Sequence, residues 1–211
     1  MTESTVLYDS KGGIATITLD RPHAKNALSR ALMRDLTGAI EAASADDATR
    51  VLLLTGSGDA FCAGVDLKEF GQLDGDPDER ERPNCWQAMD ACAKPIIGAI
   101  NGPAITGGFE IALACDVLIA GESARFADTH GRVGVLPGAG LSQRLPRSVG
   151  IYRAKYLSLT GNFLSAREAA DWGLVSHVVP DAELMSSARQ IAEDMLGLMP
   201  HMLPAVKQVI D

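Results

Sequence analysis

Two short stretches of this chain carry residues that could stabilise a developing negative charge. One is Ala60-Phe61-Cys62-Ala63-Gly64-Val65-Asp66-Leu67-Lys68-Glu69. The other is Asn101-Gly102-Pro103-Ala104-Ile105-Thr106-Gly107-Gly108-Phe109-Glu110. Each leaves an apolar, strand-like run, passes through small residues and enters a predicted helix. The first N–H groups of a helix have no partner inside it. Two such starts side by side can aim free amides at one oxygen. Glu110 then falls in the first turn of the second helix, where a carboxylate can exchange a proton with a bound molecule. Either turn alone equally suits glycines that only permit a bend, and a first-turn glutamate is common on exposed helices. Their combination favours a site.

The elements that must position these turns follow from periodicity and punctuation. Val6 to Asp9 and Ile14 to Leu19 read as strands joined by Lys11-Gly12-Gly13. Ser29 caps a helix to about Ala43, with Leu32, Met33, Leu36 and Ile40 on one face. Val51 to Leu54 and Ile96 to Ile100 are continuous apolar runs, as in buried strands. Gly71 to Pro83 reads as a mobile loop. Trp86, Met89 and Ala93 share a helical face, and Val117 to Ala120 and Arg125 to Ala127 are short strands. After Pro146 the pattern is mainly helical: Tyr152 to Leu159, Ala166 to Trp172, Ala182 to Leu196 and a start at Ala205. A strand, Val175 to Val179, falls among them.

With 211 residues the chain suits one domain with a sizeable core. Its 19 Lys+Arg against 27 Asp+Glu give a net charge of -8, which disfavours nucleic acid as a partner. Cys62, Cys85, Cys92 and Cys115 form no CxxC pair and no metal-ligand spacing with histidine, so reduced thiols and no metal are expected. No GxGxxG follows a strand, and P-loop and GxSxG motifs are absent. Met1 to Asp9 has no signal-peptide pattern, and no apolar run is long enough for a bilayer. The expectation is a cytoplasmic protein without a membrane partner.

The motifs together resemble the crotonase family, also called the enoyl-CoA hydratase/isomerase superfamily. The likeness runs from Gly13-Ile14-Ala15-Thr16-Ile17-Thr18-Leu19-Asp20-Arg21-Pro22 to about Val179. It passes through Lys25-Asn26-Ala27-Leu28, the segment Lys94 to Gly102, Cys115-Asp116, the segment Gly134 to Gly140, and Gln143-Arg144-Leu145. The resemblance implies an α/β fold, a right-handed spiral of repeated β-β-α units, over residues 1–149, with the CoA and active site. A helical C-terminal region used for trimerisation, over residues 150–211, would follow. Family members usually carry further helices after such a segment, so this region is expected to be incomplete.

The resemblance also implies roles. The backbone N–H groups of Val65 and Gly107 would hold a thioester oxyanion, and Glu110 would activate water. The second catalytic glutamate of family hydratases, which gives a proton to C2, is replaced here by His130. A histidine, with an ordinary pKa near 6.5, can also donate or accept a proton. Asp128 is an alternative acid lying off the reacting position. Ala24, Lys25 and Ala27 would lie near the CoA nucleotide, and Ala63, Val65, Asp66 and Leu67 along the pantetheine. Lys25 and Lys68 would meet phosphates. Thr106, Gly108 and Thr129 complete the substrate-binding set, and Pro137 and Gly138 would close one side of the acyl pocket. Phe70, Trp86 and Met89 are candidates for its lining, although helical spacing suits core residues as well. Asn26 is expected to fix a turn.

The implied activity is that of an enoyl-CoA hydratase, a lyase of lipid metabolism. No cofactor is needed beyond the coenzyme A of the acyl-CoA substrate. The assembly implied is a homotrimer or a dimer of trimers. Alternatives on the same fold are an enoyl-CoA isomerase or acyl-CoA decarboxylase; loss of the isomerase-type glutamate counts against the former. A third is a weakly catalytic acyl-CoA-binding protein.

Overall fold

The computed structural model describes residues 4–70 and 84–210. The loop expected from Gly71 to Pro83 lies outside the described residues, as does the side chain of Phe70. The chain opens with a hairpin of β1 (Val6–Lys11) and β2 (Ile14–Leu19). Gly12 and Gly13 turn it at φ 63° and 86°, the left-handed conformation that suits a two-residue turn between twisted strands. Next comes α1 (Arg30–Ala45), where the Ser29 hydroxyl accepts from the Leu32 N–H at 3.1 Å.

The remaining elements run in order: β3 (Val51–Gly56), α2 (Leu67–Phe70), α3 (Cys85–Ala91), β4 (Ile96–Ile100), β5 (Pro103–Ile105), α4 (Gly107–Leu113), β6 (Val117–Gly121), β7 (Arg125–Ala127), α5 (Leu141–Val149), α6 (Ile151–Thr160), β8 (Leu164–Ser165), α7 (Ala166–Asp171), β9 (His177–Val179), α8 (Leu184–Leu196) and α9 (Met202–Ile210). One sheet has the order β1-β2-β3-β4-β6-β9, the other β5-β7-β8. From β2 to β9 the large sheet is parallel. Each central turn lays one strand in the large sheet, one in the small sheet and then a helix: β4-β5-α4, then β6-β7-α5. This is the expected spiral of β-β-α units.

Side chains alternate across a strand, and both faces of the large sheet are covered. Leu52, Leu54, Ile96 and Ile100 join Phe61, Phe109 and Phe126 in one cluster. Val51, Leu53 and Ile97 pack with Leu184, Ala188 and Ala192 of α8 in another. Double coverage explains the unbroken apolar runs of β3 and β4.

The structure departs from the sequence expectations in places. Helix α3 ends at Ala91, so Ala93 lies outside it. Helix α5 spans Pro146, although proline offers no N–H to the carbonyl one turn earlier. Buried Leu141, Leu145 and Val149 hold it in place. Cys62, Cys85 and Cys92 are buried free thiols, and Cys115 is partly buried. Burial pushes the Cys62 and Cys85 thiols up to about 12, far from thiolate chemistry at neutral pH. Among the described residues, no helix is long and apolar enough to cross a membrane.

Asn26 does fix a turn. It sits at φ 54° beside Lys25 at φ 50°. Its side-chain oxygen accepts from the Arg21 N–H at 2.8 Å, and its amide donates to the carbonyls of Ser57 at 2.9 Å and Ala60 at 2.8 Å. Asn26→Ala would take the side-chain partner from the Arg21 N–H and the Ser57 carbonyl, while the Ala60 carbonyl keeps Asn101 at 3.3 Å, and put alanine where asparagine is tolerated better. The expected cost is roughly 2 kcal/mol or more, seen as a lower urea midpoint. An unchanged midpoint would show that the turn is held by other contacts.

Candidate active site

The two glycine-bearing turns lie side by side because short backbone bridges clamp them. The Cys62 N–H donates to the Pro103 carbonyl at 3.0 Å, and the Ile105 N–H to the Cys62 carbonyl at 2.9 Å. On the other side, the Leu28 N–H donates to the Gly64 carbonyl at 2.8 Å and the Asp66 N–H to the Leu28 carbonyl at 3.1 Å. These bridges pass over the Val65 N–H. The Gly107 N–H opens α4, so it has no acceptor within the helix. Among the described residues, neither amide has a hydrogen-bond acceptor. They are close neighbours: a Cβ built on Gly107 would lie 3.6 Å from the Val65 nitrogen, and one on Gly64 3.5 Å from the Gly107 nitrogen.

The residue between the turns is strained. Thr106 has φ 52° and ψ -111°, a conformation that a β-branched residue rarely adopts. Its N–H donates to the Ala127 carbonyl at 2.9 Å, and its hydroxyl is hydrogen-bonded to that of Thr129. Local strain of this kind persists only where surrounding contacts over-determine it, and it concentrates at functional sites.

Glu110 points inward instead of lying exposed in its helical turn; it is 3% exposed. Its Oε1 accepts from the N–H groups of Ala139 at 2.8 Å and Leu141 at 3.4 Å. Its Oε2 lies 3.6 Å from His130 Nε2. His130 starts a 3-10 turn, His130–Arg132, just after β7. Its Nδ1 lies 2.7 Å from Asp128 Oδ1, and all three side chains are buried. Burial by itself lowers the His130 pKa. Hydrogen bonds and charges from Asp128 and Glu110 outweigh burial and lift it to about 9. The ring is therefore an imidazolium at neutral pH, not the half-protonated group that an ordinary histidine would be. Burial likewise raises Asp128, but the hydrogen bonds from His130 and Ser158 hold its carboxyl below the usual carboxylate range.

A proton held more tightly in the folded chain stabilises the fold wherever it is bound. His130 contributes fully below its ordinary value of 6.5 and loses that contribution as the pH rises through about 9. Thermal stability should fall by roughly 3 kcal/mol at most over that window, and His130→Gln should flatten the fall. Equal pH dependence in both proteins, followed by differential scanning calorimetry, would contradict this.

The other expected site residues fall into two groups. The Ala63 N–H donates to the Lys25 carbonyl at 3.0 Å, so the segment Ala24 to Ala27 runs beside the first turn. Gly108 and Thr129 adjoin the paired turns. Asp66 is braced structurally: its carboxylate meets Arg21 at 3.2 Å and caps the Lys68 N–H at 3.2 Å. Leu67, Lys68, Lys25 and Gly138 are exposed, and Pro137 is half-buried. Gly138 and Trp86 line an open groove of about 330 Å³ with Gln143 and Arg144. Met89, in contrast, packs in the core at 1% exposure. Sequence reasoning missed the amides of Ala139 and Leu141 as holders of Glu110. It also placed Asp128 off the reacting position without seeing that the Asp-x-His spacing lets it grip His130.

A family model described as enoyl-CoA hydratase/isomerase matches residues 9–211. The chain is 46% identical over 201 residues to the probable enoyl-CoA hydratase 1, peroxisomal, of Arabidopsis thaliana, covering 95% of this chain and 76% of that protein. It is 39% identical over 208 residues to the 2,3-dehydroadipyl-CoA hydratase of Escherichia coli (strain K12), covering 98% of this chain and 82% of that one. A crystal structure of an enoyl-CoA hydratase from Mycobacterium avium superposes with a TM-score of 0.86 at 48% identity, covering 96% of this chain and 85% of that chain.

Proposed function

Because this chain belongs to the enoyl-CoA hydratase/isomerase family, we propose that it adds water across the C2–C3 double bond of a trans-2-enoyl-CoA. The observation that carries the proposal is a buried carboxylate and a buried imidazole ring, 3.6 Å apart, beside two backbone amides that have no acceptor among the described residues. The thioester oxygen sits against the N–H groups of Val65 and Gly107. Glu110 Oε2 takes a proton from water as its oxygen bonds to C3. Electrons of the double bond shift to an enolate whose oxygen the two amides stabilise; one such donor is worth about 3 kcal/mol in the transition state. His130 then gives its Nε2 proton to C2. The proton on Glu110 passes to the neutral imidazole and resets the pair.

With His130 in place of a glutamate the pair itself is neutral, and Asp128 brings the site back to one negative charge. Two carboxyls sharing one proton carry one negative charge; so does the set Glu110⁻, His130⁺ and Asp128⁻. CoA enters as part of the substrate, with Ala24, Lys25, Ala27, Ala63, Asp66, Leu67 and Lys68 along its length and no other cofactor. Thr106, Gly108 and Thr129 support the reacting centre, and Pro137 and Gly138 border the acyl group. The assembly is a homotrimer or a dimer of trimers; the exposed apolar stripe of Tyr152, Tyr156 and Leu159 on α6 supports a buried contact there. Sedimentation at the mass of a monomer would exclude that assembly.

The test is loss of the conjugated enoyl-thioester absorbance with crotonyl-CoA across pH. Turnover should fall along an alkaline limb near the His130 pKa of about 9, since its proton must be present to reach C2. Binding of crotonyl-CoA without turnover at any pH would remove the proposal.

A further inference from the structure

We propose that Asp128 is the positioning residue of this site: its carboxylate locks the His130 ring so that Nε2–H is turned toward Glu110 and the reacting carbon. The inference rests on the hydration proposed above and extends it to a residue that touches neither water nor thioester. One oxygen, Asp128 Oδ1, accepts from the His130 backbone N–H at 3.2 Å and meets His130 Nδ1 at 2.7 Å. Two bonds to one oxygen fix both the backbone and the ring of the same residue, which leaves the imidazole little freedom to flip. Another element contributes, because Ser158 of α6 lies close enough to the Asp128 carboxyl to favour its charged form.

Asp128 is 2% exposed. A buried carboxylate is costly unless a cation or several donors meet it, so its presence forces Nδ1 to be a donor and leaves Nε2 as the working nitrogen. The charged groups facing His130 are Asp128 from its own loop and Glu110 from α4. They meet opposite sides of the ring. Glu110 has its own backbone donors at Ala139 and Leu141, while the Asp128 carboxyl has the His130 N–H, the ring and Ser158. The division of labour is therefore asymmetric: one carboxylate reacts and the other aims.

Asp128→Asn keeps the shape and an oxygen that can still accept from Nδ1–H, but removes the charge. Nitrogen-15 NMR of the imidazole should show the His130 midpoint fall from about 9 toward the ordinary 6.5. The alkaline limb of kcat should move with it, so that kcat drops about tenfold or more at about pH 8 and little at about pH 6, with KM nearly constant. A purely structural role would lower stability without moving the limb, and an unmoved midpoint overturns the proposal. If the variant does not fold, the wild-type protein decides: Nδ1 must be protonated at neutral pH, and an unprotonated Nδ1 overturns the proposal as well. A shifted midpoint in a protein with no turnover of any enoyl-CoA would support the hold on the ring and remove the hydration reading alone.

Discussion

Glu110→Gln is expected to lower turnover of crotonyl-CoA by about 10²–10⁴-fold with little change in KM. The substitution keeps size and shape. The glutamine oxygen can take the place of Oε1, which accepts from Ala139 at 2.8 Å and Leu141 at 3.4 Å. The amide nitrogen then stands where Oε2 faces His130 at 3.6 Å. It has no lone pair available for a water proton, so the base is lost while the loop from Gly134 to Gly140 stays tethered. Steady-state rates with crotonyl-CoA, beside a melting curve, separate the two effects. Near-normal turnover in a folded Glu110→Gln protein would mean that another group activates water.

The second large effect concerns the paired turns. Gly108 lies so close to the first turn that a Cβ would overlap the Cys62 carbonyl oxygen and come within 2.7 Å of Cys62 Cβ. The obstacle is backbone, which cannot rotate away as a side-chain tip can. That same carbonyl accepts from Ile105 in the bridge between the turns. Gly108→Ala must therefore push the turns apart. The expected cost is about 1–3 kcal/mol of stability, as for an overpacked core. Turnover in the folded fraction should fall about 10²–10³-fold, as when one oxyanion donor is withdrawn. Binding of acyl-CoA should survive better than turnover, because the amides matter most when charge develops on the oxygen. A Gly108→Ala protein with normal turnover would separate Gly107 from the reacting carbonyl.

Several features were readable locally. The Ser29 cap, the faces of α1, the apolar runs of β3 and β4 and the place of Glu110 in the first turn of α4 each depend on neighbours a few residues away. The spiral was implied by the resemblance that the family motifs carry, and the order of these elements fits it. Two very short strands were not read, β5 with three residues and β8 with two, although β7, also three residues long, was. Such segments have little preference of their own, and partners on β7 hold them in place. Helix α5 was not read either; its buried face outweighs the N–H that Pro146 lacks.

The site divides along the same line. Sequence alone determined which residue types are present: the two turns, Glu110 in its helix, and histidine instead of a second glutamate. It could not determine that Glu110 turns inward, because the donors that hold it lie about thirty residues further on, at Ala139 and Leu141. Nor could it determine the charge of His130. A histidine two residues from an aspartate is ordinary when exposed to water, where each charge is screened and hydrated. Only tertiary packing buries the ring between carboxylates from two different elements. In that low-dielectric setting the attraction outweighs the cost of burial, and an ordinary base becomes a standing acid.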